Sequence, residues 1–467
     1  MVVSERVIDV PGLGQGNATL MQALPGFRDF LPEECAKRNY IFARWREVAR
    51  RYGFVEWEGP VLEPTDLYKK KSGDEIVEQL FNFADKGERE VAMRPELTPT
   101  LARVVAAHER EFKKPLKWFS IGQFFRYEKQ QRGRLREHFQ LNCDIIGESS
   151  VAADSEILAL LIDIMRSFGF SADDFVVRVS SRDAWLSFVL ERFGQLQDTS
   201  AVNDAQFRRL LEILDKLERQ DEKVTNAQLQ EFNASVNDVY AWIHKTQRVL
   251  KDPTNQEWLA QSGTTLSNIH QLVHQHIIPL GLKDVVEIDL GIVRGLAYYT
   301  GIVFEVFSRK RKLRAIAGGG RYDNLISQLS DGAVSLPALG FAMGDVVLSE
   351  LINEIPRARE AMQKAITSDR KIDIYVVIAK EERRADALAQ IQQLRDRGYR
   401  VDYPMTPTKV ARQFQAAEEA GASLALLYGD EWPQVKVKNL PTREESLIDH
   451  GALLDSVAKF FNVGSSA

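Results

Sequence analysis

The chain has 467 residues, of which 44% are hydrophobic and 27% are charged, and its formal net charge is -5. This composition is typical of a globular protein with two or three domains. It excludes a basic field over the whole surface, so any contact with nucleic acid has to be local. No stretch reaches the roughly 18 consecutive apolar residues of a membrane span, and the first residues lack the apolar core of a signal peptide. Two distant cysteines, Cys35 and Cys143, predict free thiols and a reducing, cytoplasmic environment.

The N-terminal part of the chain predicts a tail over residues 1–20, followed by mixed helices and strands. Ile41, Trp45 and Val48 recur at helical spacing and predict an amphipathic helix over 33–52. Further helices are expected over 99–111 and 152–168, and short strands over 91–93, 118–121 and 175–179.

From residue 182 to about 250 the pattern becomes almost purely helical, and we interpret this stretch as a helical insertion. Strands return over 285–290 and 301–307, and the apolar stretch 336–351 ends as a helix. Residues 21–355 therefore predict an α+β domain built on an antiparallel sheet.

Three histidines, His270, His274 and His276, cluster in the sequence, and the first two are one helical turn apart. No cysteine or carboxylate next to them completes a set of metal ligands. We therefore expect surface histidines and no metal site.

After a linker at about 356–370 the pattern changes to alternating strands and helices. Strands are predicted over 372–379, 400–403 and 424–428, and helices over 382–397 and 409–420, followed by two short strands and a final helix. Residues 371–467 therefore predict a small α/β domain with a largely parallel sheet.

Two alternating runs flank a loop that contains Gly133, and they predict an antiparallel hairpin. Because side chains alternate along a strand, Arg126 and Glu128 are expected to share one face of the first strand. One face of the hairpin suits a nucleotide, since guanidinium groups bind phosphate and polar side chains bind base edges. On the second strand this open face carries His138, Gln140, Asn142 and Asp144, while Phe139, Leu141, Cys143 and Ile145 point to a packed face.

The hairpin resembles motif 2 of the class II aminoacyl-tRNA synthetases. Residues 293–305 and 317–325 resemble the two histidine signatures of the histidyl-tRNA synthetases. Three further stretches, 26–32, 51–60 and 94–98, are similar to that family's opening, motif 1 and amino-acid loop. These blocks stand in the family's order over most of the chain. The resemblance implies a class II antiparallel-sheet catalytic domain with a helical insertion, and a C-terminal α/β anticodon-binding domain.

The resemblance also implies roles for individual residues. Arg126 and Arg294 match the arginines that contact the α-phosphate of ATP, where fixed cations stabilise the charge that develops during transfer. The implied histidine site contains Glu96 at the α-amino group, Asp144, Tyr299 and Tyr322 at the imidazole, and Thr98, Gln140 and Tyr298. The implied ATP site contains Arg126, Glu128, Arg134, His138 and Arg314.

Purely structural roles compete with several of these assignments. Arg126 pairing with Glu128 across the hairpin would explain both residues without a ligand. Tyr299 and Tyr322 fit a core position with the hydroxyl group at its edge. The triple glycine 318–320 fits either a close approach to a ligand or a tight turn.

Motif 3 departs from the family's pattern. Val347 stands where the family usually has an arginine that clamps ATP. Arg309, Arg311 and Arg314, which lie between the two histidine signatures, are the candidates to replace it.

Smaller departures occur at three other places. Ala297 stands where the first histidine signature usually has an acid, and Leu97 where the amino-acid loop usually has glycine. The usual order Phe-His in motif 2 is reversed to His138–Phe139. Strand parity then predicts that His138 stacks on adenine, unless a bulge turns Phe139 inward.

The function implied is that of a histidine–tRNA ligase, with histidine, tRNA(His) and ATP with Mg²⁺ as substrates and no bound prosthetic group. The motif 1 resemblance implies a homodimer, and no membrane partner is expected. One alternative is a histidine-sensing paralogue that resembles the regulatory subunit of ATP phosphoribosyltransferase. Another is a module that binds tRNA without charging it. Arg126, Arg294, Glu96 and the C-terminal domain favour the enzyme, and the departure at Val347 favours the paralogue.

Overall fold

The computed structural model describes residues 22–69, 78–129, 133–193, 204–217, 220–261, 266–293, 298–310 and 313–463. The tail predicted over 1–20 lies outside these ranges. The chain divides into two compact units, Met1–Arg359 and Glu360–Ala467. Within the described ranges, no helix combines the length and the apolar character needed to cross a bilayer.

Most strands of the first unit belong to one twisted sheet whose order is β1-β5-β6-β11-β10-β9-β7-β8, and β2, β4 and β3 form a small second sheet. The pairs at the two edges of the large sheet, β1–β5 and β7–β8, are parallel, and the five pairs between them are antiparallel. The predicted antiparallel α+β architecture is therefore confirmed. The strands are β1 (Val55–Glu56), β2 (Leu62–Pro64), β3 (Phe81–Ala84), β4 (Glu90–Met93), β5 (Leu116–Phe125), β6 (Glu137–Ile146), β7 (Phe175–Ser181), β8 (Val286–Ile288), β9 (Ile302–Ser308), β10 (Ala317–Arg321) and β11 (Ala338–Gly344).

Helices pack around this sheet, and those between β7 and β8 form the insertion. Outside the insertion the helices are Pro32–Arg51, Thr65–Lys69, Thr98–Ala107, Val151–Ser167, Leu325–Leu329 and Asp345–Glu354, with a 3₁₀ turn at Glu109–Glu111. Residues 356–370, predicted as a linker, form the helix Pro356–Arg370, which spans the boundary between the two units. Those of the insertion are Arg182–Phe193, Asp204–Asp215, Glu222–Leu229, Val236–Lys251, Gln256–Gln261 and Ser267–Gln271, with 3₁₀ turns at Gln230–Phe232 and Pro253–Asn255 and a π-helical turn at Leu272–Ile277.

Two long helices cover one face of the large sheet. The helix Pro32–Arg51 begins with a proline and has two acidic residues in its first turn, which suits a helix N-terminus. It packs against the helix Val151–Ser167, which in turn contacts β6 and β11. Phe119, Leu141 and Cys143 have no exposed surface. The packed face predicted for the hairpin is therefore the face that these helices cover.

The hairpin itself differs from its prediction at the tip. The strands β5 and β6 pair with Phe125 opposite Glu137, and β5 ends at Phe125. Arg126 and Glu128 were predicted on the strand, but they lie beyond its end. The backbone N–H of Arg126 still donates to the carbonyl oxygen of Arg136 across the hairpin at 2.9 Å, and that of Tyr127 donates to the carbonyl oxygen of Gln79, outside the hairpin, at 2.7 Å. Two other predicted elements are also shorter than expected: the strand over 285–290 is Val286–Ile288, and the helix over 99–111 ends at Ala107.

The second unit has a five-stranded sheet in the order β13-β12-β14-β15-β16. The first three of these strands run parallel and the last two are antiparallel. One face of this sheet buries Ile391 and Leu394 against Val376, and the other buries Ala417 against Val377. The strands are β12 (Ile374–Ile378), β13 (Val401–Asp402), β14 (Leu424–Tyr428), β15 (Gln434–Asn439) and β16 (Glu445–Asp449), and the helices are Arg384–Asp396, Val410–Glu419 and Leu453–Val463, with a 3₁₀ turn at Glu381–Arg383.

Candidate active site

The candidate site lies on the face of the large sheet opposite to the two long helices. Residues paired directly across strands point to the same side of a sheet, so the register defines this face. Most of its polar side chains come from β6, Ser120 comes from β5, and the strands β11 and β10 contribute glycine and alanine. The rows that run across the sheet are Trp118, Asp144, Gly340 and Gly320; Ser120, Asn142, Ala342 and Gly318; and Gly122, Gln140 and Gly344.

The glycines keep this face open. A Cβ atom on Gly340 would overlap the carboxylate of Asp144, and one on Gly320 would lie 3.0 Å from Cδ1 of Tyr299. The triple glycine 318–320 belongs to the strand β10, so the tight turn considered from the sequence is wrong. Close packing between neighbouring strands and against Asp144 explains why these positions have no side chain.

The open face of the sheet forms the floor of the site, and above it two buried carboxylates contact two buried tyrosines. Tyr322 Oη donates to Asp144 Oδ1 at 2.6 Å, and Tyr298 Oη donates to Glu96 Oε2 at 2.6 Å. The rings of the two tyrosines are 6.2 Å apart, and Tyr299 lies 5.1 Å from Tyr298. These five residues, which come from distant parts of the sequence, therefore form one cluster.

Burial controls the charges in this cluster. It raises the pKa of Asp144 to about 7, and the hydrogen bond from Tyr322 acts in the opposite direction. Burial also raises the pKa of Tyr298 and Tyr322 well above the usual tyrosine range, so both hydroxyl groups remain donors. A carboxyl group with such a pKa can accept or donate a hydrogen bond near neutral pH, as recognition of an imidazole requires.

Glu96 and Thr98 stand where the helix Thr98–Ala107 begins. Proline at position 99 fits the first turn of a helix, and this helix packs at the same end of the floor as Tyr298 and Tyr322. The Thr98 hydroxyl lies within hydrogen-bonding reach of Tyr298. Gln140 lies on the same face of β6 as Asp144, four residues before it, and is half-buried.

Guanidinium groups gather at the other end of the floor, around the hairpin loop. Arg126 Nε donates to the carbonyl oxygen of Pro95 at 3.1 Å, which places Arg126 next to the loop that carries Glu96. Arg134 forms an ion pair with the buried carboxylate of Glu128. Glu128 therefore pairs with Arg134, and not with Arg126 as the competing interpretation of the sequence predicted.

His138 faces this group of cations. Burial, together with the charges of Arg126, Arg28 and Arg134, lowers the pKa of His138 to about 3, so its imidazole is neutral. The ring of Phe139 points the other way and lies 5.2 Å from the ring of Phe42 on the first long helix. The reversed pair thus keeps regular strand parity, and no bulge turns Phe139 toward the open face.

Arg314 lies at the rim of the same end. It is exposed and lies three residues before the start of β10. A Cβ atom on Gly133 would lie 3.8 Å from Cδ of Arg314 and 3.3 Å from Cγ2 of Val347. Arg309 lies elsewhere, because its guanidinium pairs with Glu287 at 2.6 Å at the far edge of the sheet. The proposed replacement of the motif 3 arginine by Arg309 is therefore wrong. Arg294, Ala297 and Arg311 lie outside the described residues.

Sequence reasoning missed two polar groups on the floor as site residues. Asn142 Nδ2 and Ser120 Oγ are buried, lie opposite each other on β6 and β5, and have no hydrogen-bond partner among the described residues. Unpaired buried polar groups are costly unless a ligand or water pairs with them. The alternation along β6 had already placed Asn142 on the open face, and that was the available signal.

Sequence reasoning also missed a network that fixes the hairpin from behind. Arg28 bridges Glu137 at 2.6 Å and Asp345 at 2.9 Å, and Asp345 Oδ1 accepts the backbone N–H of Phe139 at 2.9 Å. These contacts hold the start of β6 against the helix Asp345–Glu354. Arg28 stood in the block 26–32, but nothing local in the sequence links it to Asp345.

The histidine cluster of the insertion is structural. His270 is buried, not on the surface as predicted, and its Nε2 lies 3.0 Å from the carbonyl oxygen of Asp252. His274 Nε2 lies 3.0 Å from the carbonyl oxygen of Leu250. Both rings thus contact backbone at the end of the helix Val236–Lys251. Across the described ranges, no group of three or more His, Cys, Asp and Glu side chains is arranged to hold a metal ion.

Both units of the chain match known protein families. A family model described as histidyl-tRNA synthetase matches residues 26–346, and one described as anticodon binding domain matches residues 373–460. Over 449 residues the chain is 42% identical to the histidine--tRNA ligase of Opitutus terrae, which covers 94% of this chain and 99% of that protein. Over 423 residues it is 37% identical to the chloroplastic/mitochondrial histidine--tRNA ligase of Arabidopsis thaliana, covering 90% of this chain and 83% of that protein. The crystal structure of apo S. aureus histidyl-tRNA synthetase has 24% identity and a TM-score of 0.66, covers 94% of this chain and 100% of that chain, and shows a shared fold.

Proposed function

This chain belongs to the histidyl-tRNA synthetase family, and we propose that it acts as a histidine–tRNA ligase. In the first step the carboxylate of histidine attacks the α-phosphorus of ATP, and diphosphate leaves. In the second step a ribose hydroxyl group of the terminal adenosine of tRNA(His) attacks the activated carbonyl carbon, and AMP leaves. The observation that supports this proposal most directly is the cluster of Glu96, Asp144, Tyr298 and Tyr322, which offers charges and hydrogen bonds suited to both ends of histidine.

The histidine site divides into an amine end and an imidazole end. Glu96 binds the α-ammonium group, with Thr98 and Gln140 beside it, and Tyr298 orients the carboxylate of Glu96. Asp144 binds an imidazole nitrogen, and the hydrogen bond from Tyr322 fixes the orientation of its carboxylate. Tyr299 completes the imidazole end of the pocket. A pocket of this kind rejects apolar side chains of similar size, because they would leave its buried polar groups unpaired.

The ATP site occupies the end of the floor where the cations gather. Arg126 and Arg294 stabilise the charge on the α-phosphate during attack, and neutral His138 stacks on adenine. Arg134, held by Glu128, adds a further cation. Mg²⁺ enters as part of the nucleotide substrate and neutralises the phosphates.

The second unit and the edge strand β1 are the surfaces proposed to contact partners. The second unit, which the anticodon-binding family model matches, contacts the anticodon arm of tRNA(His). A homodimer is supported by β1, an edge strand whose Val55 is 63% exposed, together with the exposed side chains of Leu62 and Phe83. Two free cysteines, Cys35 and Cys143, suit a cytoplasmic location.

Exchange of labelled diphosphate into ATP tests the proposal. Histidine should stimulate the exchange, and no other standard amino acid should do so. A histidine-sensing paralogue would bind histidine without exchange, and a module that merely holds tRNA would do neither. Stimulation by a different amino acid but not by histidine would refute the proposed function.

A further inference from the structure

We propose that Arg321 is a positioning residue for the imidazole end of the proposed histidine pocket. Its side chain points away from the pocket and acts by holding Tyr322 and Asp144 at the distance at which they form their hydrogen bond. The inference rests on the proposed ligase function and adds to it a residue that determines how well histidine is bound.

Arg321 and Tyr322 lie on opposite sides of the large sheet. Gly320 stands in the same row as Asp144 on the open face, so Arg321, the next residue of β10, points to the packed face. Tyr322 follows directly, and its hydroxyl group donates to Asp144 on the open side at 2.6 Å. Arg321 therefore contacts its partners on the face opposite to the pocket, at the end of the strand that leads into Tyr322.

The guanidinium of Arg321 joins the end of β10 to the end of β6. Its Nη2 donates to the carbonyl oxygen of Ser150 at 2.8 Å, and its Nη1 donates to that of Glu148 at 3.2 Å. Both carbonyl groups belong to the turn that follows β6, four and six residues after Asp144. One planar group thus fixes the strand that carries Asp144 against the strand that leads into Tyr322.

A third segment, the one that carries Tyr298 and Tyr299, also meets Arg321. The backbone N–H of Thr300, which follows Tyr299, donates to the carbonyl oxygen of Arg321 at 2.7 Å. The Thr300 hydroxyl group donates to Asp323 Oδ2 at 3.1 Å, and Asp323 Oδ1 lies 3.4 Å from Nη1 of Arg321. The three segments that supply the imidazole end are therefore connected through one arginine.

The burial of Arg321 favours a role in orientation over a role in stability alone. Its Nε lies 2.7 Å from Asp154 Oδ1, and the two side chains are 7% and 4% exposed. Taking two charges out of water is costly, and apolar side chains of similar volume often stabilise a buried site equally well. A guanidinium differs from an apolar side chain because its planar fork fixes the directions of the groups that it binds.

The variant Arg321→Lys separates the fork from the charge. It keeps a cation opposite Asp154 but replaces the planar fork with a single ammonium group, so the two carbonyl groups lose their common partner. The KM for histidine should rise roughly tenfold or more, because the donor to a buried carboxylate is displaced. The KM for ATP should stay within about twofold, since the cations around the hairpin loop are untouched.

Arg309→Lys is the matched control. Arg309 also donates to two backbone carbonyl oxygens, those of Ala172 and Asp284, and pairs with the carboxylate of Glu287, but it does so at the far edge of the sheet. Replacing its fork should leave the KM values for histidine and ATP unchanged.

A double variant tests whether Arg321 acts through Tyr322. In a chain that already carries Tyr322→Phe, Arg321→Lys should change the KM for histidine by less than about threefold, because the hydrogen bond that it positions is gone. Two independent effects would multiply instead. The assay is histidine-dependent diphosphate exchange with the full chain and Mg²⁺·ATP, and equilibrium dialysis with labelled histidine measures binding without the reaction.

Four results would overturn the inference. They are an unchanged KM for histidine in Arg321→Lys, an equal rise in the KM values for histidine and ATP, an equally large effect in Arg309→Lys, and a fully multiplicative effect in the Tyr322→Phe chain. If Arg321→Lys does not fold, the neutral pair Arg321→Met/Asp154→Asn decides by the same criteria, because it leaves neither member of the pair charged. If neither variant folds, the ion pair serves stability and the inference fails. Binding of histidine without exchange in the parent would instead contradict the ligase function, and dialysis would then decide the role of Arg321.

Discussion

The hydrogen bond between Tyr322 and Asp144 offers a direct test of the proposed histidine pocket. The variant Tyr322→Phe removes one hydroxyl group and keeps the ring that packs beside Tyr298. Asp144 then loses its 2.6 Å donor while its carboxylate remains buried. The expected result is weaker selection of histidine with little change in the ATP site.

The expected loss of kcat/KM for histidine follows from the burial of Tyr322 and Asp144. A hydrogen bond to a charged group contributes about 1.5 to 3 kcal/mol, and loss of its donor leaves the acceptor unpaired. We therefore expect kcat/KM for histidine to fall by about 10- to 150-fold. The KM for ATP should change by less than about threefold, since the cations around the hairpin loop are untouched.

The pH dependence gives a second, independent readout. The pKa of Asp144 is raised to about 7 by burial, and the hydrogen bond from Tyr322 lowers it from a still higher value. Since the ionised carboxylate accepts the hydrogen bond of a neutral imidazole, kcat/KM for histidine should fall as the pH drops through about 7. In Tyr322→Phe this fall should begin at higher pH, because one group that favours the ionised form is gone.

Tyr428→Phe is the matched control for this variant. Its hydroxyl group is also buried, but it has no hydrogen-bond partner among the described residues and it belongs to the second unit. It should leave diphosphate exchange and its pH profile unchanged. If Tyr322→Phe stays within about threefold of the parent, with the same pH profile, the hydroxyl group does not position Asp144 and the reasoning fails.

The charge of Asp144, the space beside Gly340, and the roles of Arg294 and of the second unit can each be tested. Asp144→Asn should raise the Tm more at pH 8 than at pH 5. Folding raises the pKa of Asp144 from 3.8 to about 7, so ionisation of this buried carboxyl lowers the free energy of unfolding as the pH rises, by about 4 kcal/mol well above pH 7. An equal gain in Tm at both pH values would contradict the burial argument. Gly340→Ala should abolish histidine activation and lower the Tm, while Gly344→Ala, with nothing within 4 Å of its added Cβ, should leave the Tm unchanged. Arg294→Ala should slow single-turnover activation by about 10²–10³, and a rate within threefold of the parent would make Arg294 structural. Removal of the chain from about residue 370 should spare histidine activation and raise the KM for tRNA; equal aminoacylation by both forms would refute the anticodon role.

The open face of β6 could be predicted from the sequence because alternation in a strand is local and strict. Asp144, Gln140 and His138 share that face as expected, and Phe139 faces the helices. The end of β5 could not be predicted in the same way. The sequence pattern around Arg126 still alternates there, and the contact from the backbone N–H of Tyr127 to Gln79 joins two segments that no local pattern links.

Contacts between distant residues were beyond local reasoning. Tyr298 and Glu96 are 202 positions apart, and Arg28 and Asp345 are 317 apart, so the pairing of each depends on the assembled sheet. The family resemblance supplied Glu96 and Tyr298 as members of one site, but not the bond between them. The burial of His270 was missed for a similar reason, because the surrounding segments cover it only after the insertion has folded.

The order His138–Phe139 shows how the two faces of β6 depend on each other. A shift of the strand by one residue would bring Phe139 into the proposed nucleotide site and turn His138 toward the helices. The backbone N–H of Phe139 donates to Asp345, and its ring packs against Phe42, so the register is fixed from the helix side. Because alternation carries that register along β6, the same contacts set the position of Asp144 in the proposed histidine pocket. The packed face thus determines which side chains are available for chemistry on the open one.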